Sequence, residues 1–303
     1  MSYRIGNNYK LAIELETTYG TPVESSATFL PDVCEMKDAV AKGEVPANTG
    51  TLLPQATGVQ PGYKTGTVTI KGALSDAHEV LLPAMLSASS PYVMNPSQKT
   101  NYSYTIYQIL DESTDDTVHR ATGCVCESFK ITGEGGGVIT YEATFKTDGA
   151  IDREETIAGG LTYTTPTVDP FLFADTTCIR YGGVTAYNSF SLDIGKTFAD
   201  DKNVFQNSNT KTFEAITSTN ATMNMEWNYD TAADASIYDT ILDDTCNVDS
   251  IVLNDGSNSW TLTTYGKYDS YDSPDPDKGI YIGNFVKGLL YDGTNQPLTI
   301  TIT

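Results

Sequence analysis

The chain has 303 residues, five cysteines and a formal net charge of −21. Split at residue 160, that charge is −9 from 20 acids and 11 bases and −12 from 19 acids and 7 bases, so acidity is spread evenly and no basic patch exists to grip nucleic acid by its phosphates. No run of 18 apolar residues occurs, so no segment reads as a membrane-spanning helix.

The N-terminus, Met1-Ser-Tyr-Arg-Ile-Gly-Asn-Asn8, has no apolar leader, and an odd cysteine count predicts reduced thiols and folding in a cytoplasm. Tyr9 to Leu15 alternates as a short strand, and Glu16-Thr-Thr-Tyr-Gly-Thr-Pro22 ends in turn formers. Val33, Cys34 and Met36 start a strand running towards Val40. Ala41 to Lys64, rich in Gly, Pro and Thr, reads as a long loop, or as an extended hairpin pairing Thr51-Leu-Leu with Gly58-Val-Gln.

Thr65 to Ser87 is the central unit, a strand running into a helix. Val68, Ile70 and Leu74 alternate with polar residues. Asp76 with Glu79 resembles a capping box, and Ala77, Val80, Leu81, Ala84 and Met85 form an apolar stripe. Pro83 should kink or end that helix.

Strands follow at Tyr102–Ile109, Gly123–Thr132 and Val138–Thr147, with an acidic turn at Asp111–Asp116 and a hairpin turn at Gly133–Gly137. In the last strand Val138, Thr140, Glu142 and Thr144 share one face, and Ile139, Tyr141, Ala143 and Phe145 the other. Asp148 to Asp169 loses periodicity and reads as a linker.

The order then repeats. Phe190–Ile194 matches the strand at Val33, and Lys196–Thr217 matches the long loop. Ala221–Leu242 matches the strand-helix unit: Met223, Met225, Trp227 and Tyr229 alternate, Thr231 and Asp234 cap, and Ala235, Tyr238, Ile241 and Leu242 form the stripe. Asp249–Leu253 and Ser259–Tyr265 flank the turn Asp255-Gly256. An acidic loop spans Asp269–Lys278, and Gly283–Leu290 and Pro297–Ile302 form a closing hairpin around Asp292-Gly293. The pattern predicts an internal duplication: a mainly β chain of two tandem β-sandwich or curved-sheet domains, 1–160 and 161–303, each with one packed α-helix.

Catalytic chemistry finds little purchase. Two histidines, His78 and His119, are too few for most triads or metal sites, and both read as structural or solvated. Cys124 and Cys126 lack zinc spacing and read as core thiols. Asp269, Asp272, Asp275 and Asp277 invite calcium but lack the register and distal Glu of an EF-hand, so a solvated loop is preferred. Gly133–Gly137 joins two strands without a Lys-Ser/Thr and is no phosphate loop. No catalytic, cofactor or metal residue is assigned.

Three stretches, Leu11-Ala-Ile-Glu-Leu-Glu-Thr-Thr-Tyr-Gly-Thr-Pro22, Gly66–Leu74 with His78–Leu82, and Gly123–Gly137, are together similar to the tail tube proteins of long-tailed, siphovirus-type bacteriophages. The resemblance covers about half the chain by motif and the rest by order of elements. It implies a structural subunit of the virion tail, assembled in the host cytoplasm, with no sheath. Six domains ring an acidic lumen through which double-stranded DNA passes without specific binding. With two domains per chain, a trimer of pseudo-sixfold symmetry is favoured over a hexamer. Ring edges pair strand to strand, rings stack head-to-tail, and tape measure, tail terminator and distal tail proteins are the partners. The loops Ala41–Lys64 and Lys196–Thr217 are candidates for ring-to-ring and neighbour contacts. Two other readings stand beside this one: a carbohydrate-binding or adhesive β-sandwich module of a virion or secreted system, using some of the 19 tyrosines, and a calcium-dependent hydrolase.

Overall fold

The computed structural model describes residues 9–23, 26–44, 59–95, 97, 102–110, 117–147, 151–154, 162–164, 169–180, 183–185, 187–198, 216–228, 244–272 and 282–303. Among these the protein is mainly β. The first half supplies β1 (Tyr9–Leu15), β2 (Ser26–Leu30), β3 (Val33–Glu44), β4 (Val59–Ala73), β5 (Tyr92–Val93), β6 (Tyr104–Leu110), β7 (Thr117–Glu134), β8 (Thr140–Thr147), β9 (Asp152–Glu154) and β10 (Thr162–Thr164). The second supplies β11 (Thr177–Arg180), β12 (Gly183–Thr185), β13 (Ser189–Phe198), β14 (Ile216–Asn228), β15 (Asn247–Asn254), β16 (Ser259–Asp272), β17 (Ile282–Leu289) and β18 (Leu298–Ile302).

Alternation decides which side of each strand is buried. Val68 and Ile70 are buried while Thr67 and Thr69 are not, and Ile139, Tyr141, Ala143 and Phe145 are buried opposite exposed Val138, Thr140 and Glu142. One sheet takes the order β10–β2–β1–β6–β7–β9, with a parallel contact at β10–β2. The other is a wall of eight antiparallel strands, β3–β4–β8–β7–β13–β14–β17–β16. Strand β7 serves both sheets: its first part pairs with β6, and from Val125 onward it lies in the wall. Strand β16 makes the same transfer, pairing with β15 up to Gly266 and with β17 from there. Beyond β15 lie β11 and β12, and β18 joins the first part of β16 to β5.

The order of partners in β3–β4–β8–β7 recurs in β13–β14–β17–β16, together with its irregularities. The row Met36–Val68–Phe145–Cys126 stands just before a bulge at Glu127, and the row Leu192–Met223–Lys287–Tyr268 just before a bulge at Asp269. Two residues earlier, Cys124 and Gly266 are the positions where pairing with β6 and β15 begins. The hairpins β3–β4 and β13–β14 also shift register at nearly matching places, after Val40 and after Thr197.

Several expectations are corrected. At its two ends the stretch Ala41–Lys64 is a hairpin, with Gly43 opposite Gln60 and Glu44 opposite Val59; Thr51-Leu-Leu, like the rest of residues 45–58 and residues 199–215, lies outside the described residues. The stretch Asp148–Asp169 holds β9 and β10, both too short to show a period, and β10 pairs with β2 although it lies past residue 160. Strands β17 and β18 form no hairpin. Both edges of β17 are taken by β14 and β16, so β18 pairs instead with β16, where Leu298 and Ile300 are fully buried.

The core is shared. One cluster of buried side chains runs from Leu11 to Ile300, drawing on both halves. A smaller one, Ala12, Ala27, Tyr107, Ile109 and Val118, covers the other side of the first sheet.

The helix predicted after β4 forms as a 3-10 helix, Asp76–Ala84, not an α-helix. Its N-cap is Ser75 rather than Asp76: the Ser75 N–H donates to His78 Nδ1 at 2.9 Å. Pro83 has no N–H to close a 3-10 turn onto the Val80 carbonyl, and the Tyr104 hydroxyl donates to that carbonyl instead, at 3.0 Å. Both ends are held by second-half residues. Trp260 Nε1 donates to Asp76 Oδ1 at 2.9 Å, and Lys196 Nζ to the Ala84 carbonyl at 2.7 Å. The second predicted helix, Thr231–Leu242, lies outside the described residues. Tyr104→Phe leaves the Val80 carbonyl without its donor and is expected to cost about 1–3 kcal/mol in urea denaturation; an unchanged midpoint would contradict this role.

Candidate functional site

His78 is fully buried, whereas its place in the first helical turn reads as an exposed or half-buried structural position. Its Nε2 lies 2.8 Å from Asp32 Oδ2 and its Nδ1 3.0 Å from Ser75 Oγ, so serine, histidine and aspartate stand in line. The arrangement cannot act as a hydrolytic relay. The Ser75 amide already donates to Nδ1, which makes Nδ1 the acceptor and Nε2–H the donor to Asp32. Ser75 itself is buried beyond the reach of a substrate. Tyr141 OH donates to the same Asp32 oxygen at 2.9 Å, and a Cβ on Gly72 would sit 1.8 Å from Asp32 Oδ1. This is a packed post that ties β3, β8 and the helix start together.

The other candidates are equally structural. His119 is half-buried in β7, its Nδ1 3.2 Å from Gln108 Oε1. Cys124 and Cys126 are buried, and burial pushes the Cys126 thiol up to about 12, away from a reactive thiolate. All five cysteines are free. Asp269 and Asp272 belong to β16 rather than to a loop; Asp275 and Asp277, like Asp111–Asp116, lie outside the described residues. Among the described residues no group of three or more His, Cys, Asp or Glu is placed to hold a metal ion. In the Gly133–Gly137 turn, Gly136 has φ +84, and a Cβ on Gly133 would meet the Phe190 ring at 2.4 Å.

Two buried polar groups had no signal in the sequence. Glu16 accepts four hydrogen bonds: from Gly20 N–H and Ser103 Oγ on Oε2, at 2.8 and 2.6 Å, and from Thr105 Oγ1 and Gly123 N–H on Oε1, both at 2.9 Å. It thereby fastens the end of β1 to β6 and to the point where β7 changes sheets. Lys287, fully buried, gives its ammonium to Asp249 Oδ2 at 2.7 Å and to the carbonyls of Asn247 and Thr264; Tyr268 OH donates to the same Asp249 oxygen at 2.8 Å.

A second buried cation, Lys196, is held down to about 8 by burial, against its ordinary 10.5. A lowered lysine value means that the unfolded chain binds more protons between pH 8 and 10.5, so stability rises with pH across that window. Relative to Lys196→Met, the wild type is expected to gain up to about 3 kcal/mol from pH 8 to 10.5, measured by denaturant unfolding. A flat difference would contradict it.

What remains open is the wall. Its outer face carries Thr67, Thr69, Thr132, Thr140, Ser191 and Asn224, with Lys130 paired to Asp193 at 3.2 Å and Lys146 to Glu127. Among the described residues this face holds the acids Glu35, Glu127, Glu134, Glu142, Asp193, Glu226 and Asp269 against Lys37, Lys71, Lys130, Lys146 and Lys267. At one end, β3 has β4 on one side and no described strand on the other. At the far end, Lys267–Asp272 of β16 has β17 on one side and no described strand on the other. A sheet edge of this kind offers unpaired backbone groups to another strand.

The sequence matches the model of the phage tail tube protein family over residues 6–303. The chain belongs to that family. A comparison with curated proteins finds no match. As a tail tube protein it is a structural component of the virion tail. Within this tail tube protein the stretch Leu11–Pro22 holds the buried Glu16, and Gly66–Leu82 holds the capped helix start.

Proposed function

We propose that this tail tube protein is the ring subunit of a siphovirus-type tail. In this reading residues 1–160 and 161–303 are two tandem copies of one tube block, with the short strand β10 lent by the second to the first. Three chains close a ring, rings stack head-to-tail into a conduit, and genomic DNA passes through it. The observation that carries the reading is the eight-strand wall: one order of partners and bulges occurs twice, and an open edge stands at each end. An open edge invites pairing, and pairing the two different edges of successive chains is a heterologous contact that closes when the rotation fits. The polar outer face of the wall then lines the lumen. Its excess of carboxylates repels the duplex and keeps it from sticking in transit.

Tape measure, tail terminator and distal tail proteins are the expected partners at the lumen and the tube ends. Light scattering of the purified protein tests the stoichiometry. The expected ring mass is about 98 kDa, three times the 32.8 kDa chain; two stacked rings of three also hold six chains, so particle images of a single ring of six chains, rather than a six-chain mass, would overturn the trimer.

A further inference from the structure

The joint between the two halves of this chain is a strand pair, β7 against β13, with Lys130 opposite Asp193 and Phe129 opposite Ile194. Strand β7 occupies in its group of four the place that β16 occupies in the other, and β13 the place of β3. The open edges of the wall are therefore the counterparts of two edges already joined inside the molecule. The bulge rows set Met36 equivalent to Leu192, and Cys126 to Tyr268.

Carried across those equivalences, Asp193 corresponds to Lys37 and Lys130 to Asp272. We infer that the partner of the β3 edge is the β16 edge of a second copy of this chain, antiparallel, in the register that sets Lys37 opposite Asp272. The same register sets Asp38 opposite Tyr271 and Ala39 opposite Ser270. The internal joint has an acid on the β13 side and a lysine on the β7 side, 3.2 Å apart. The joint between chains has the lysine on the β3 side and the acid on the β16 side. The charges are exchanged but stay opposite, and opposite charges directly across a strand pair are favourable. Lys37 is accessible for this contact: its side chain is 69% exposed, and among the described residues it pairs with its strand neighbour Glu35, at 2.9 Å. The exchange also discriminates. An edge that slipped into the wrong site would meet a like charge, so an internal edge is not mistaken for an external one.

This inference rests on the ring reading above, and the experiment separates the two. Lys37→Glu is expected to lower the ring yield of the dilute protein by roughly tenfold, because a ring repeats the clash at every joint. The double exchange Lys37→Glu with Asp272→Lys is expected to restore it. In parallel, the pair Lys37→Cys with Asp272→Cys is expected to give an interchain disulfide in assembled rings, since directly opposed strand residues meet the Cα spacing of a disulfide. The shifted pair Glu35→Cys with Asp272→Cys is expected to give little. Rings that cross-link through the shifted pair, or that the double exchange fails to restore, overturn this register while leaving the ring intact. A wild-type protein that forms no rings overturns the ring reading, and the joint with it.

Discussion

Lys287→Met is expected to lower the unfolding free energy of the isolated chain by about 3–5 kcal/mol, because it leaves Asp249 buried without its cation. Asp249→Leu should cost a similar amount, stranding the ammonium instead. Burial already holds the Lys287 amine below its ordinary range, and Asp249 opposes that drift only in part. The pair is imperfectly satisfied as well: Asp249 Oδ1 has no hydrogen-bond partner among the described residues. The matching positions in the first half are apolar. Phe145 stands where Lys287 stands in its row, and Ile106, paired with Ala121, stands where Asp249 pairs with Thr264. The double variant Lys287→Phe with Asp249→Ile therefore installs the first half's solution in the second. It is expected to recover wild-type stability to within about 1 kcal/mol, or to exceed it, since apolar replacements of buried ion pairs are often neutral or stabilising. Urea denaturation of the two single variants and the double variant reads the result. A single variant costing under about 1 kcal/mol would contradict the burial of the pair.

Glu16→Ala is the second large effect. It strands two backbone N–H groups, of Gly20 and Gly123, and two hydroxyls, of Ser103 and Thr105. Hydrogen bonds to a buried carboxylate contribute about 1.5–3 kcal/mol each, and four that share one acceptor do not add, so a loss of about 4–5 kcal/mol is expected. Gly123 sits at φ +60, where β7 passes from one sheet to the other, so opening this contact should also loosen the sandwich at that corner. Hydrogen exchange in β6 and β7 is expected to quicken together, whereas a local effect confined to the turn after β1 would contradict the role assigned to Glu16.

Local features of the fold were legible in the sequence where one face of a strand is apolar. Val68 and Ile70, and the run from Ile139 to Phe145, show the period directly. Turn residues were legible too: Gly136, Gly256 and Gly293 all take positive φ where glycine turns were expected. Contacts between distant positions were not legible. Glu16 meets Ser103, Thr105 and Gly123, and a carboxylate next to Thr17 and Thr18 looks like a surface residue until those partners are folded onto it. The length of β16 was hidden by its bulge, which puts Asp269 out of step and makes a strand end look like an acidic loop. The helix was misassigned because an apolar stripe is shared by α and 3-10 geometry over two turns, and its decisive partners, Tyr104 and Lys196, lie elsewhere in the chain. The proposed assembly surface left the faintest trace: polar Thr, Ser and Asn on a wall look like any solvated face until edges with no described strand beside them are seen at its two ends.

An electron cryo-microscopy reconstruction of tubes assembled from the purified chain decides how the walls of neighbouring chains meet. Three chains per ring are expected, their eight-strand walls joined edge to edge around a lumen, with β16 of each chain against β3 of the next. A ring of six chains, or a wall whose β3 edge faces solvent, would contradict that arrangement.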